Sequence, residues 1–464
     1  MHNKNLFLKN DSKIAIIGGG PAGSFFAHFA FRYATEAGIH VSITIFDKKS
    51  FCQKGPRGCN MCAGVISENL FNELEEEGIH IPPFCIQRKI EEYCLQSQDE
   101  SVLLHHPVPG HIPKILTVFR GNGPLLSSHQ GNVSFDDFLL NHVRKQGIEV
   151  VFEVVKGLKL PSKRGDPVEV IYGEGDVKKV FDADLVVGAF GVNTGIMESV
   201  ANMDFGYKPP KTVRTCQCEI MLGNEYIEKT FGNNVFVFEL GKRDLKFASI
   251  TLKTDYITVS LVGRQDLTRN NLMDFLNHPV VRRLMPKEWV MPKGFCMCIS
   301  KIPVTHAKHP FTDRFVILGD ASISRAYKSG IESAFHMAKL SAYTAFKNGV
   351  SERAFMNGYF KPAKKLLARD NVYGIIMLKI NDYITSQRRL ANAHIKYIKY
   401  GKDRKVADQM NEVLWNMLSG NTSYKKIFYK FVNNPRLVCK MLPISMSAWG
   451  RQKMDDMKAW RETY

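Results

Sequence analysis

The residues of this 464-residue chain best suited to chemistry are two cysteines, two sets of glycines and two acids. Cys59 and Cys62 lie in a glycine-rich loop, Lys54-Gly55-Pro56-Arg57-Gly58-Cys59-Asn60-Met61-Cys62-Ala63-Gly64. A thiol there can donate a proton to a reacting carbon or gate a pocket; it can equally fill a tight turn as a small buried group. Upstream, Gly18-Gly19-Gly20-Pro21-Ala22-Gly23 follows the apolar run 14–17, which reads as a buried strand. Gly18 permits the turn, Gly20 lets a pyrophosphate approach the backbone, and Gly23 lets the next helix pack against the strand. Gly18, Gly20, Pro21, Ala22 and Gly23 are thus candidate cofactor-binding residues. Asp47 ends the second strand and is placed to hold a ribose hydroxyl pair.

A second anchor lies some 300 residues on. The run 314–318 reads as a strand that stops at Gly319-Asp320, and a helix opens near Gly330-Ile331. Asp320 can accept a hydrogen bond from a ribityl hydroxyl, and the amides near Gly330 and Ile331 can face a polarised ring carbonyl. The two anchors together point to FAD rather than NAD.

These groups need an α/β frame to position them. The expected fold is a Rossmann-like FAD-binding domain with an inserted antiparallel β-sheet substrate domain and a C-terminal helical domain. The segments 1–85, 125–205 and 302–350 are assigned to the first, 86–124 and 206–301 to the second, and 351–464 to the third. Within them, Ser67 is expected to cap a helix, 149–155 to form one strand, and 212–301 to alternate as β structure around a short helix at 270–276.

Four segments carry a family resemblance: 18–23, the cysteine loop 57–64, Phe135-Asp136-x-x-Leu139, and Gly319-Asp320 with Ser329-Gly330-Ile331-Glu332-Ser333-Ala334. On these the chain resembles the geranylgeranyl reductase family, within the p-hydroxybenzoate-hydroxylase-like flavoproteins. The resemblance covers roughly residues 12–350. It implies non-covalent FAD and saturation of isoprenoid double bonds in lipids or pigment precursors. It also implies a catalytic role for Cys62, with Cys59 as an extra neighbour, and adds Arg57 to the cofactor-binding residues. Two departures bear on function. Phe190-Gly191 stands where related hydroxylases carry an Asp-Gly that serves FAD and pyridine nucleotide, which points to an acidic protein such as ferredoxin or flavodoxin as electron donor. Residues 247–252 lack the Trp and Pro that line the prenyl tunnel of many reductases, which leaves the hydrophobic small-molecule or lipid substrate unnamed. A flavin monooxygenase is the enzymatic alternative.

The metal expectation is none. Cys216-x-Cys218 and Cys296-x-Cys298 lie in expected strands, where period two puts each pair on one face; four sulfurs converge only if the strands are neighbours, and core or pocket-lining cysteines are the reading taken. His105, His106 and His336 show no ligand spacing. Bulk properties set the remaining bounds. Residues 351–464 hold 22 Lys and Arg against 9 Asp and Glu, a net +13 of the whole chain's +18. This tail, with Tyr397-Ile398-Lys399-Tyr400 and the aromatic–basic run 424–431, suits a peripheral membrane contact, an acidic partner or an ordinary packed helix. Nucleic acid is not the expected partner, although a flavoprotein binding tRNA or partner proteins through its basic tail is the alternative from another class. Met1 to Asn10 lack the apolar core of a signal peptide, so the expected location is the cytoplasm.

Overall fold

In a computed structural model of the chain, which describes residues 6–454 except 243, 438, 441–445, 449 and 452, Ser12–Ile17 is a central strand of a six-stranded sheet. Val41–Phe46 and Leu185–Gly188 flank it in parallel, with Glu149–Val151 beyond the first and Phe315–Ile317 beyond the second. Only the edge strand Phe311–Thr312 runs antiparallel. The apolar run 14–17 is buried on both faces, as a parallel strand covered by helices on one side and a second layer on the other must be. Helix Pro21–Ala37 starts directly at the glycine turn, with Pro21 at its first position, where the missing N–H costs nothing. It packs along helix Gly330–Lys347, with Phe25 and Phe29 edge-on to Phe335 at 5.3 Å each. The two anchors of the sequence analysis thus meet across one helix pair.

The expected strand 149–155 is in fact two. Glu149–Val151 closes the parallel sheet, whereas Val154–Lys159 turns into a separate three-stranded antiparallel sheet with Val168–Gly173 and Lys179–Ala183. The break falls at Phe152-Glu153, where the chain leaves one layer for the next.

A seven-stranded sheet roofs the parallel one. Its order is Cys296–Pro303, Thr212–Met221, Tyr256–Gly263, Leu245–Leu252, Asn234–Phe238, Glu92–Gln96, Ser101–Leu104. Every pairing is antiparallel except Asn234–Phe238 on Glu92–Gln96. The strands bearing the two Cys-x-Cys pairs are indeed neighbours, but their register separates the thiols. Cys216 pairs with Ile299 and Cys218 with Met297, while Cys298 pairs with Gln217 and Cys296 with Glu219. Directly paired residues share a face, so Cys216 and Cys218 enter the apolar core and Cys296 and Cys298 stand on the opposite face. A one-residue offset rules out a four-sulfur centre there.

The C-terminal helices do not build a core of their own alone. Ile395, Ile398, Val406, Met410 and Trp415 join the apolar core of the seven-stranded sheet, and Phe355, Tyr359, Phe360 and Leu367 join that of the parallel sheet. Two stretches, Phe355–Phe360 and Lys364–Ala368, wind as π-helix between ordinary helical turns. Trp415 is fully buried, edge-on to Tyr93 at 5.2 Å. Trp415→Ala is expected to cost about 3–5 kcal/mol, the range for emptying a large aromatic site, and to lower the urea midpoint of the helical and sheet signals together. Unfolding of the helices alone would show that the shared core does not couple them.

Candidate active site

A single cavity of ≈ 1040 Å³ lies between the parallel sheet, the roof and the C-terminal helices. Its floor contains Gly18, Gly20, Pro21, Ala22, Asp47, Gly319, Asp320, Gly330 and Ile331, so all but one of the glycine-turn and acid positions singled out in the sequence line it. The exception, Gly23, acts from behind. A Cβ on it would stand 1.9 Å from the Gly18 carbonyl oxygen, so only glycine allows the helix this close. Gly18 itself has φ +109°, and a Cβ there would meet the Ala189 carbonyl at 2.5 Å.

The polar groups of the floor fit a dinucleotide flavin. Asp47 accepts from the backbone N–H of Gly19 and of Lys49, both at 2.7 Å, and burial raises its pKa. Asp320 is half-buried against Gly330, its carboxyl oxygens 3.7 and 3.8 Å from where a Cβ on that glycine would sit, and desolvation raises its pKa as well. Two half-buried acids facing one cavity with backbone donors beside them suit the hydroxyl groups of a ribose and a ribityl chain.

The cysteine loop enters from the side. Met61 holds φ +52°, and Tyr327 and Ser329, on the turn before helix Gly330–Lys347, hold +67° and +54°. Non-glycine residues rarely adopt such values, and the three border the same cavity. Cys62 faces the cavity, with its Sγ accepting from the Gly64 N–H at 3.5 Å and contacted by the Arg120 guanidinium. Cys59 does not line the cavity. Its Sγ accepts from the Met61 N–H at 3.2 Å, and burial pushes its thiol up to about 11. Of the two candidate thiols, Cys62 faces the cavity and Cys59 stands behind it as a protonated filler. Arg57 is corrected. It stands exposed on the short turn Gly55–Arg57 and does not line the cavity.

The cation that does reach the site is Arg120. Burial opposes its charge, but the carboxylate of Asp136 and the sulfur of Cys62 hold it protonated. Asp136, wholly buried at the start of helix Phe135–Arg144, accepts from Arg120 Nη2 at 3.0 Å and from Asn60 of the cysteine loop. Removing one partner of such a pair leaves a buried charge, worth roughly 3–5 kcal/mol. Lys49 Nζ donates to the Cys59 carbonyl at 2.6 Å and secures the loop from the other side. Arg120, Asn60 and Lys49 were missed by sequence reasoning; Asp136 was visible only as part of the Phe135-Asp136-x-x-Leu139 motif, without a role.

The roof and far wall are divided. Tyr93, Leu95, Val235, Val237, Leu414 and Met417 are apolar, whereas Thr215, Gln217, Ser249, Thr251 and Ser260 form a polar band. Lys328, its pKa lowered to about 7 by burial and the neighbouring Arg325, donates to the Met417 carbonyl and lies 4.8 Å from the Tyr424 ring. Tyr424 and Ile427 of the tail are consequently buried rather than turned to a membrane.

The floor defines the class: a flavoprotein oxidoreductase fold with its dinucleotide site, a thiol loop and a roofing sheet. The comparisons agree. No family model matches the chain. It resembles the geranylgeranyl reductases: it is 23% identical over 344 residues to the geranylgeranyl diphosphate reductase of Synechocystis sp., spanning 72% of this chain and 74% of that protein. A solved geranylgeranyl bacteriochlorophyll reductase-like protein from Thermoplasma acidophilum superposes with a TM-score of 0.65 at 15% identity, covering 94% of this chain and 100% of the other. The p-nitrophenol 4-monooxygenase of Pseudomonas putida DLL-E4 does so with 0.61 at 17%, covering 89% and 100%. These structures share the fold.

Glu239 gives the site a pH signature. It lines the cavity, accepts from Asn381 Nδ2 at 2.7 Å, and burial raises its pKa from 4.5 to about 7. Between those values the folded chain keeps a proton that the unfolded chain releases. The stabilisation is full below about pH 4.5 and is lost as pH rises through about 7. Glu239→Gln, neutral throughout, is expected to flatten the fall in urea midpoint over this window; an unchanged slope would mean that Glu239 ionises as readily folded as unfolded.

Proposed function

We propose that the chain is an FAD-dependent oxidoreductase that reduces carbon–carbon double bonds of a prenyl or other lipid-like substrate. The observation that carries this is one cavity in which the flavin floor, Cys62 with Arg120, and the apolar part of the roof meet. Gly18 to Gly23 and Asp47 would hold the dinucleotide end of FAD, and Asp320 with Gly330 and Ile331 the flavin end. When bound, FAD supplies the hydride for one alkene carbon. Cys62 donates the proton that the other carbon needs, and Arg120 stabilises the thiolate left behind. Asp136 keeps Arg120 charged and in place, and the roof excludes water. The polar band Thr215, Gln217, Ser249, Thr251 and Ser260 supports a second reading, a flavin monooxygenase acting on a more polar substrate.

The purified chain is expected to release FAD on denaturation and to saturate a prenyl lipid under anaerobic reduction. Cys62→Ser should keep FAD and lose about 10²-fold in turnover, the low end for a general acid. Undiminished turnover would make Cys62 structural, and oxygen uptake coupled to substrate would favour the monooxygenase. Phe190 lines the cavity beside the floor, so electrons are expected from reduced ferredoxin or flavodoxin, at a rate that falls with salt, faster than from NADPH. Saturable reduction by NADPH alone would overturn that part.

Access for a lipid is supported by helix Arg369–Ser386. Leu378 and Asn381 line the cavity, while Val372, Ile376, Ile380 and Tyr383 form an exposed stripe on the outside. Exposed Lys365, Arg369 and Lys379 flank the stripe. Both acids of the helix point away: Asp370 accepts from the Tyr424 and Lys425 N–H groups, and Asp382 pairs with Lys246 at 3.3 Å. No helix among the described residues is long and apolar enough to cross a membrane, and an exposed apolar stripe flanked by cations suits contact at a lipid surface. The chain is expected to float with anionic vesicles and not with zwitterionic ones. The double variant Ile376→Ser/Ile380→Ser should bind about tenfold or more weakly; equal flotation of the variant would remove the stripe from the interface.

A further inference from the structure

Away from the cavity, the structure brings together three side chains that nothing in the proposed reaction uses. Glu68, His106 and His111 each offer one ligand atom, and these atoms all lie within 4.8 Å of one another. His111 Nε2 is 2.9 Å from Glu68 Oε1. Two ligands at zinc distances of about 2.0–2.1 Å around a tetrahedron stand roughly 3.3 Å apart, so the cluster is near the spacing a cation requires before one is bound.

Each member is held from behind. Glu68 opens helix Glu68–Glu76; its Oε1 also accepts from the Lys114 N–H at 3.3 Å, and its Oε2 from Asn421 Nδ2 at 3.4 Å. No Lys or Arg side chain pairs with it among the described residues. The His106 ring is fixed through Nδ1, which lies 3.1 and 3.3 Å from the Val108 backbone nitrogen and oxygen, and it stands edge-on to the buried Trp415 at 5.5 Å. The two imidazoles lie 4.1 Å apart at 35°. Positioned ligands with partners behind them are the usual setting of a metal site, whereas a surface His–Glu ion pair needs neither the second histidine nor the backing.

We propose that Glu68, His106 and His111 bind a divalent transition-metal ion, with Zn²⁺ the best fit, completed by water at the fourth position. Two imidazoles and one carboxylate favour zinc over calcium or magnesium, which prefer all-oxygen sets. The site ties three parts of the fold together. Glu68 begins the helix directly after the cysteine loop, and Ser67 beside it donates to Glu332 Oε2 at 3.1 Å on the helix that starts beneath Asp320. His106 and His111 lie on the loop that leaves the roof. Asn421 lies on the turn between helices Arg404–Ser419 and Tyr424–Val432, and its backbone carbonyl accepts from Asn69 Nδ2 at 2.7 Å. The ion therefore acts as a structural clip that sets where the cysteine loop ends.

The test is made on the full chain, stripped with chelator and titrated with Zn²⁺ or Co²⁺. One equivalent should bind, Zn²⁺ should raise the thermal midpoint, and bound Co²⁺ should show d–d bands without sulfur-to-cobalt charge transfer. His111→Ala and Glu68→Gln should each abolish the stoichiometric binding and the shift. His111 is 39% exposed, so its replacement leaves the core intact; Cys59→Ser and Cys296→Ser should bind as the parent does. Absence of stoichiometric binding, retention of it in His111→Ala, or a charge-transfer band from the thiols would each overturn the site.

Discussion

The buried pair of Arg120 and Asp136 is the constraint on which the site depends. Asp136 joins the cysteine loop, through Asn60, to the strand end that carries Arg120, and Arg120 in turn contacts Cys62. A charge pair so enclosed is stable only while every lone pair and proton is met. Its geometry therefore holds the loop at Asn60, while Lys49 and Lys253 hold the Cys59 and Ala63 carbonyls. The same pair explains why Cys62, and not Cys59, faces the cavity. The loop is pinned at Asn60 and at the Cys59 carbonyl by Lys49, which leaves the next turn free to present its thiol.

Much of the floor was legible because it depends on local backbone rules. The strand, the glycine turn, the helix opening at Pro21 and the acid at Asp47 all follow from steric needs within a few residues, as does the Ser67 cap, which accepts from the Leu70 N–H at 3.3 Å. The second anchor at Gly319-Asp320 was legible for the same reason. What escaped depends on pairing at a distance. Period two puts Cys216 and Cys218 on one face but says nothing of register, and a single-residue offset sends Cys296 and Cys298 to the other. Arg120 carries no motif, and its partner is found only once the end of a short sheet lies against a helix start. His106 and His111 are five apart in an irregular loop and meet Glu68 only through tertiary folding. Arg57 failed by direction: it lies in the right loop on a turn that faces solvent.

The roof explains why the substrate is harder to read than the cofactor. A flavin is recognised by backbone and by two acids, and those leave marks in sequence. A substrate is recognised by the face of a sheet, whose apolar half and polar band come from strands distant in sequence. Helix Arg369–Ser386 adds a further layer, since one face belongs to the cavity and the other to the surface.

The placing of the first strand has a consequence for how the chain is made. Ser12–Ile17 is made before its partner Leu185–Gly188, which follows some 170 residues later, and the sheet is completed by Phe315–Ile317. The backbone N–H of Val350 then closes on the Leu6 carbonyl at 2.7 Å. Until the later strands are made, the apolar segment has only Val41–Phe46 beside it and the flavin pocket has half a floor. Such late closure slows folding and exposes sticky surface to solvent. The two halves of the flavin floor, Gly18 to Gly23 and Gly319 with Asp320, come together only at that last closure.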